Sequence, residues 1–229
     1  HGVEVYLTAA LEPKQRDNYH TILIAKNFEG VKEINTLVDL STQSDHMYYK
    51  PRITFDEFFN ISDNVIKISA CLASPLSKYP NFIGKQVDEK IAELEKNKET
   101  EANRLYTELN SEAARDQWIE ANTIIHNTSY EIYVEQCIEK SNNAFDLQIE
   151  EAKSELENAK IVYDKLMKTY DYYEIQPHVK SMDQIRYNKM LYEASKKYNK
   201  PLIAGTDTHS IDSYKAECRS ILQKAKHIE

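Results

Sequence analysis

The chain has 229 residues, 41% of them hydrophobic, which is enough for a substantial core and excludes disorder by composition. Its formal net charge of −8 excludes a protein that holds nucleic acid by bulk electrostatics alone. No apolar run nears the roughly 20 residues of a membrane helix, and no leader pattern opens the chain. The three cysteines, Cys71, Cys137 and Cys218, are odd in number and widely spaced, which fits a reducing, cytoplasmic setting better than a disulfide framework.

"GVEVYL" (2–7) reads as a strand with an acid, Glu4, set between two valines. His20 immediately precedes a second strand, "TILIA" (21–25), and a helical period follows over 31–40. "YYKPRITFDEF" (48–58) mixes aromatics with Lys50 and Arg52. It reads first as a loop packed by its tyrosines, and second as a contact for a phosphate backbone. "VIKISAC" (65–71) is a strand ending at Cys71.

From about 82 to 170 the chain lacks glycine apart from Gly84, lacks proline, and is rich in Glu, Lys, Ala and Leu, which predicts helix throughout. Ile149, Ala152, Leu156, Ala159, Tyr163, Leu166 and Tyr170 follow a heptad spacing, the mark of a helix packed along another helix. Val87, Ile91, Leu94, Ala102, Leu105 and Leu109 give a rougher version. This stretch reads as an antiparallel helical arm, with Trp118 and the 130–133 region near its turn or in a short middle helix. A few ordinary helices lying on the core are the other reading. Beyond it come a strand "YYEIQ" (172–176), a helix over 184–198, a strand "PLIAG" (201–205) and a C-terminal helix over 214–226. The alternation predicts an α/β layer or barrel interrupted by a long all-helical insertion. The boundaries are 1–81, 82–170 and 171–229.

The polar residues gather at the predicted strand ends. Glu4 interrupts the first strand, His20 precedes the second, Cys71 ends the third, His178 follows the fourth, and Asp207 and His209 follow the last. His20 joins the others only if its strand runs antiparallel to that of Glu4. Mixed carboxylate, imidazole and thiolate donors suit zinc, manganese or iron. Metals sharing a carboxylate suit phosphate-ester hydrolysis. His46, His126 and His227 lack such context and are expected at the surface. No Gly-rich phosphate loop, GxSxG or CxxC competes.

"GVEVYL", "HTILIAKNFEG", "YYKPRI", "ISACLAS", "YYEIQPH" and "PLIAGTDTHS" together resemble the PHP (polymerase and histidinol phosphatase) family, in the branch borne by bacterial replicative DNA polymerases. The resemblance covers 2–80 and 171–226, and the long helical region between points to a divergent, phage-borne version. It implies a distorted (β/α)7 barrel, with a cleft holding up to three divalent metals. It implies Glu4 as a bridging ligand, His20, Cys71, Asp207 and His209 as further ligands, and His178, Lys50 and Arg52 as neighbours of the substrate or the ligands. The catalytic group is not assigned. The family's first two motifs, His-x-His and Asp-His-Gly, lie upstream of "GVEVY", so the barrel is expected to be N-terminally incomplete. The implied activity is that of a DNA-directed DNA polymerase's PHP domain, either a metal-dependent phosphoesterase and 3′–5′ exonuclease or its structural remnant. The implied partners are the remainder of the polymerase chain, DNA, and a replisome protein docking on the helical arm, with no membrane. A free-standing phosphatase of a small phosphate ester and a non-enzymatic scaffold are the alternatives.

Overall fold

The computed structural model describes residues 1–12, 15–121, 130–177 and 181–225. The protein divides into two compact units, one made of 1–78 with 164–229 and the other of 79–163.

The first unit is a mixed α/β layer. Its strands are β1 (Gly2–Thr8), β2 (Tyr19–Ala25), β3 (Met47–Tyr48), β4 (Lys50–Thr54), β5 (Val65–Ile68), β6 (Tyr173–Ile175) and β7 (Leu202–Ala204). Five form one sheet in the order β3-β4-β1-β2-β5, and β6 pairs with β7. A parallel bridge between Ile68 and Tyr172 joins the two. β2 runs antiparallel to both its neighbours, β1 and β5, whereas β1–β4 and β6–β7 are parallel.

Alternation decides which face is core. Val5 and Leu7 of β1, Leu23 of β2, Ile53 of β4 and Val65 of β5 are buried. They meet Ile34 of helix α1 (Phe28–Ser41) and Phe55 and Phe58 of helix α2 (Phe55–Phe59), which are buried with them. Tyr170 is fully buried, its ring 5.1 Å from that of Phe58, and its hydroxyl lies 2.5 Å from Thr21 Oγ1. Burial holds the Tyr170 phenol far above its ordinary range.

The distorted (β/α)7 barrel, expected to be N-terminally incomplete, is not confirmed: the described strands form no closed ring. Closure needs strands long enough to tilt and stagger around a ring. Here β3 has two residues, β6 and β7 have three each, and a single bridge joins β5 to β6. The sheet stays open, with β3 and β7 at its edges.

The 48–58 stretch also departs from expectation. Instead of a tyrosine-packed loop it supplies β3, β4 and α2, and Tyr49 is 93% exposed at a left-handed turn. Thr54 and Glu57 form a reciprocal capping box that starts α2. β5 stops three residues early because Ala70 takes a left-handed conformation (φ 56°), which ends the pairing and turns the chain into Cys71.

In the second unit the described residues are helical apart from a two-residue break. They belong to α3 (Pro75–Leu109), α4 (Glu112–Ala121) and α5 (Tyr130–Thr169). Lys90 pairs with Glu155 at 2.7 Å and Lys98 with Asp146 at 2.5 Å. Ascending numbers on α3 meet descending numbers on α5, so the two run antiparallel. Ile149, Ala152 and Ala159 of the heptad are buried. Trp118, on the short middle helix, packs against Tyr130 and Tyr133 at the start of α5, with ring centroids 5.4 and 5.8 Å away. His126 and His227 lie outside the described residues. Helix α6 (Met182–Tyr198) and helix α7 (Ser213–Ala225) complete the first unit. Among the described residues no helix is long and apolar enough to cross a membrane.

Candidate functional site

The face of the sheet turned away from the core carries the candidate donors. On β1 the even residues Glu4 and Tyr6 point there, and on β2 His20 does, directly opposite Tyr6. The antiparallel course of β2 brings its first residues to the end where β1 and β5 finish. His20 therefore reaches the same end as Cys71. His20 Nδ1 lies 3.2 Å from Glu4 Oε1 and 3.8 Å from Cys71 Sγ. The imidazole nitrogen is held between a carboxylate and a thiol.

Burial pushes the Cys71 thiol up. The backbone N–H of Ala73, which donates to its sulfur at 3.5 Å, works against this, and the charges of Asp207 and Glu4 add to it. Asp207 is therefore near enough to act on Cys71 through its field. It stands after β7 in a left-handed conformation (φ 48°), which an aspartate tolerates better than a bulky residue. His209 is tied to its own loop, its Nδ1 2.6 Å from the Asp207 carbonyl oxygen. The contacts thus join Glu4, His20 and Cys71, with Asp207 reaching Cys71 by charge and His209 attached to Asp207. His178 lies outside the described residues.

Neighbouring ligands on one tetrahedral zinc stand about 3.3–3.6 Å apart, given the usual bond lengths. The two distances at His20 fall close to that range, and oxygen, nitrogen and sulfur donors suit a borderline divalent ion. Among the described residues, however, no three His, Cys, Asp or Glu side chains stand close enough together to hold a metal ion. The donors fit in kind and in pairs, and the pairs do not close into a set.

Lys50 and Arg52 part company. Arg52 is 2% exposed and turned inward. Its Nη1 donates to the carbonyls of Gln15 at 2.8 Å and Asp17 at 3.2 Å, so its guanidinium faces that backbone rather than an outside phosphate. Lys50 stays on the open face, with Nζ 4.2 Å from the centre of the Tyr6 ring.

His46, expected at the surface, is buried. Its Nδ1 is 2.8 Å from Asp45 Oδ1 and its Nε2 2.8 Å from Glu57 Oε1. Burial alone would lower this imidazole's pKa, but the hydrogen bonds to the two carboxylates outweigh it and raise it above the ordinary histidine value. A raised histidine stabilises the fold below its unfolded value, near 6.5, and loses that contribution as pH rises through the folded value. Glu57 is also pushed up by burial, but hydrogen bonds from Thr54 and His46 outweigh this and set it low. Its contribution is present above the ordinary glutamate range and lost as pH falls through the folded value. His46→Gln should therefore cost most near pH 5.5–6 and progressively less toward pH 8.5, read as paired urea midpoints. An equal or larger cost at pH 8.5 would refute the double bridge.

Two comparisons bear on this geometry. Residues 1–112 match the family model of the PHP domain, so the class to which the motifs pointed is borne out over that part of the chain. The chain is also similar to the DNA polymerase III subunit alpha of Borreliella burgdorferi, with 30% identity over 122 residues. That segment takes in 51% of this chain and 10% of the relative, so the match spans only a tenth of the relative's length.

Proposed function

We propose that this chain is part of a PHP-type phosphoesterase domain of a DNA polymerase III alpha-like protein, with a DNA 3′ end as its substrate. In this reading Glu4, His20, Cys71, Asp207 and His209 are ligands for divalent zinc, manganese or iron. The observation that carries it is His20 Nδ1 set between Glu4 and Cys71 at 3.2 and 3.8 Å. A bound metal supplies hydroxide at neutral pH and neutralises charge on the phosphate. The chain's own part is to present a neutral imidazole at His20, to keep the Glu4 carboxylate beside it, and to release the proton of Cys71. Residues 82–170 serve as an inserted arm for a replication partner.

A non-enzymatic scaffold is the alternative reading. The full chain, dialysed against zinc or manganese, separates the two by elemental analysis. Retained metal that His20→Ala and Cys71→Ser each abolish is the expected result, with affinity falling as pH drops because metal ligands must shed their protons to bind. No retained metal, and no turnover of labelled DNA, would leave the scaffold. Turnover of small phosphate esters alone would leave a free-standing phosphatase.

A further inference from the structure

The donors are one end of a longer chain of contacts on the open face of the sheet. Tyr6 stands directly across the ladder from His20, and their rings meet edge to face with centroids 5.0 Å apart. Lys50 Nζ lies over the same Tyr6 ring at 4.2 Å. The contacts therefore run from Lys50 to Tyr6 to His20, and from His20 to Glu4 and Cys71.

The placement of Lys50 is built into the backbone. Tyr49 before it takes a left-handed turn (φ 57°), and Pro51 after it fixes the chain into β4. Residues 50 and 52 share a face by strand alternation, yet only Lys50 is left on the open side, since Arg52 donates to carbonyls within. Among the described residues Lys50 has an aromatic ring as its partner and no carboxylate. Other lysines sit on an acid, such as Lys90 on Glu155 and Lys153 on Glu150, while Lys165, Lys196 and Lys197 share with Lys50 a seat over a ring but not its place beside these donors. A ring face holds an ammonium without neutralising it. In a chain with 37 acids against 29 bases, such a cation beside metal-type donors is suited to an anion from outside.

We propose that Lys50, seated on Tyr6, is the phosphate-recognising cation of this site and takes a non-bridging oxygen of a phosphate ester lying beside His20. Tyr6 is a positioning residue, which touches both the ammonium and the His20 ring. This rests on the phosphoesterase reading for the ester's presence at His20, but the binding step needs no metal.

The test uses the full chain in two states, treated with a chelator and loaded with manganese. One probe is a 5′-fluorescein-labelled single-stranded oligodeoxynucleotide, followed by anisotropy across a salt series. The other is glycerol phosphate, followed by calorimetry. Lys50→Ala should weaken binding of at least one probe about tenfold. If the oligonucleotide is the one affected, its salt slope should fall by about 0.7, the single-strand increment for one lost phosphate contact. Lys50→Arg should recover most of the loss, and Tyr6→Phe should behave as wild type while Tyr6→Leu weakens binding about threefold. Lys196, which lies 4.0 Å over Tyr192 on α6 with none of these donors around it, is the control, and Lys196→Ala should change nothing. Circular dichroism checks that each variant is folded.

A Lys50 effect on glycerol phosphate alone would identify a small ester as the source, and one on the oligonucleotide identifies a nucleic acid. Wild-type binding by Lys50→Ala, or no binding of either probe by the wild type, would overturn the proposal. A Lys50 effect without any retained manganese would sink the metal reading and leave this inference standing.

Discussion

Arg52→Ala is expected to lower stability by about 3–5 kcal/mol, the usual cost of removing one partner from a buried ion pair. Both side chains of the Arg52–Asp17 pair are 2% exposed, with Nη1 4.0 Å from Oδ1. The Asp17 carboxylate is itself a clasp: it accepts from the Thr8 hydroxyl at 2.6 Å and from the Ala9 N–H at 2.9 Å. Without the guanidinium, that buried charge loses the cation that faces it. The carbonyls of Gln15 and Asp17 lose their donor as well, and each unpaired buried group adds to the cost. Arg52→Lys should recover little, because an ammonium lacks the planar fork that reaches several carbonyls at once. Urea unfolding monitored by circular dichroism measures this directly, and a loss below about 1 kcal/mol would show that the pair is dispensable.

The second large effect has the sign opposite to what helix propensity suggests. Gly30 lies in the first turn of α1, where alanine ordinarily gains about 1 kcal/mol over glycine. Here a Cβ at residue 30 would stand 2.3 Å from the Asn64 carbonyl oxygen. That oxygen cannot step aside cheaply, because it accepts from the Lys26 N–H at 2.8 Å while the Asn64 side chain bonds Asn27. Asn27 in turn caps α1 by accepting from the Gly30 N–H. Gly30→Ala is therefore expected to destabilise by about 2–3 kcal/mol through overpacking. Gly84 provides the contrast: it lies in α3 with nothing within 4 Å of the place a methyl group would take, so Gly84→Ala should stabilise by about 0.5–1 kcal/mol. Thermal melts of the two variants side by side decide it. A Gly30→Ala protein as stable as wild type would mean that the Asn64 segment yields.

What is legible in the sequence follows the range of the forces involved. The strands around Glu4, His20 and Cys71, and the helices of 82–170, can be read because period and breaker content are local signals. The antiparallel course of β2, on which the place of His20 depends, is met. The 48–58 stretch reads as a loop although a contrary signal is present: "TFDE" carries the Thr-x-x-Glu of a capping box. His46 reads as a surface residue because its partner Glu57 lies 11 residues away, on the helix which that loop reading hides. Nothing local announces a buried pair between a loop and a strand, so Asp17 draws no notice and Arg52 reads as outward-facing. Tyr6 shares the alternation of Glu4 and is open to the same reading. The early end of β5 is beyond reach, since alanine has no preference for the left-handed turn it adopts.

The direction of β2 also sets the order in which the site comes together. Glu4 and His20 belong to one hairpin, so their meeting closes only a short loop and is expected early in folding. Cys71 arrives from 51 residues beyond His20, after α1, α2 and β5 have formed. Asp207 comes last, because the chain must first complete α3, α4 and α5 before β7 can dock on β6. An imidazole and a carboxylate are thus in place on the sheet before the thiol reaches them, and a nascent chain could present Glu4, His20 and Cys71 while its C-terminal third, with Asp207 and His209, is still being made.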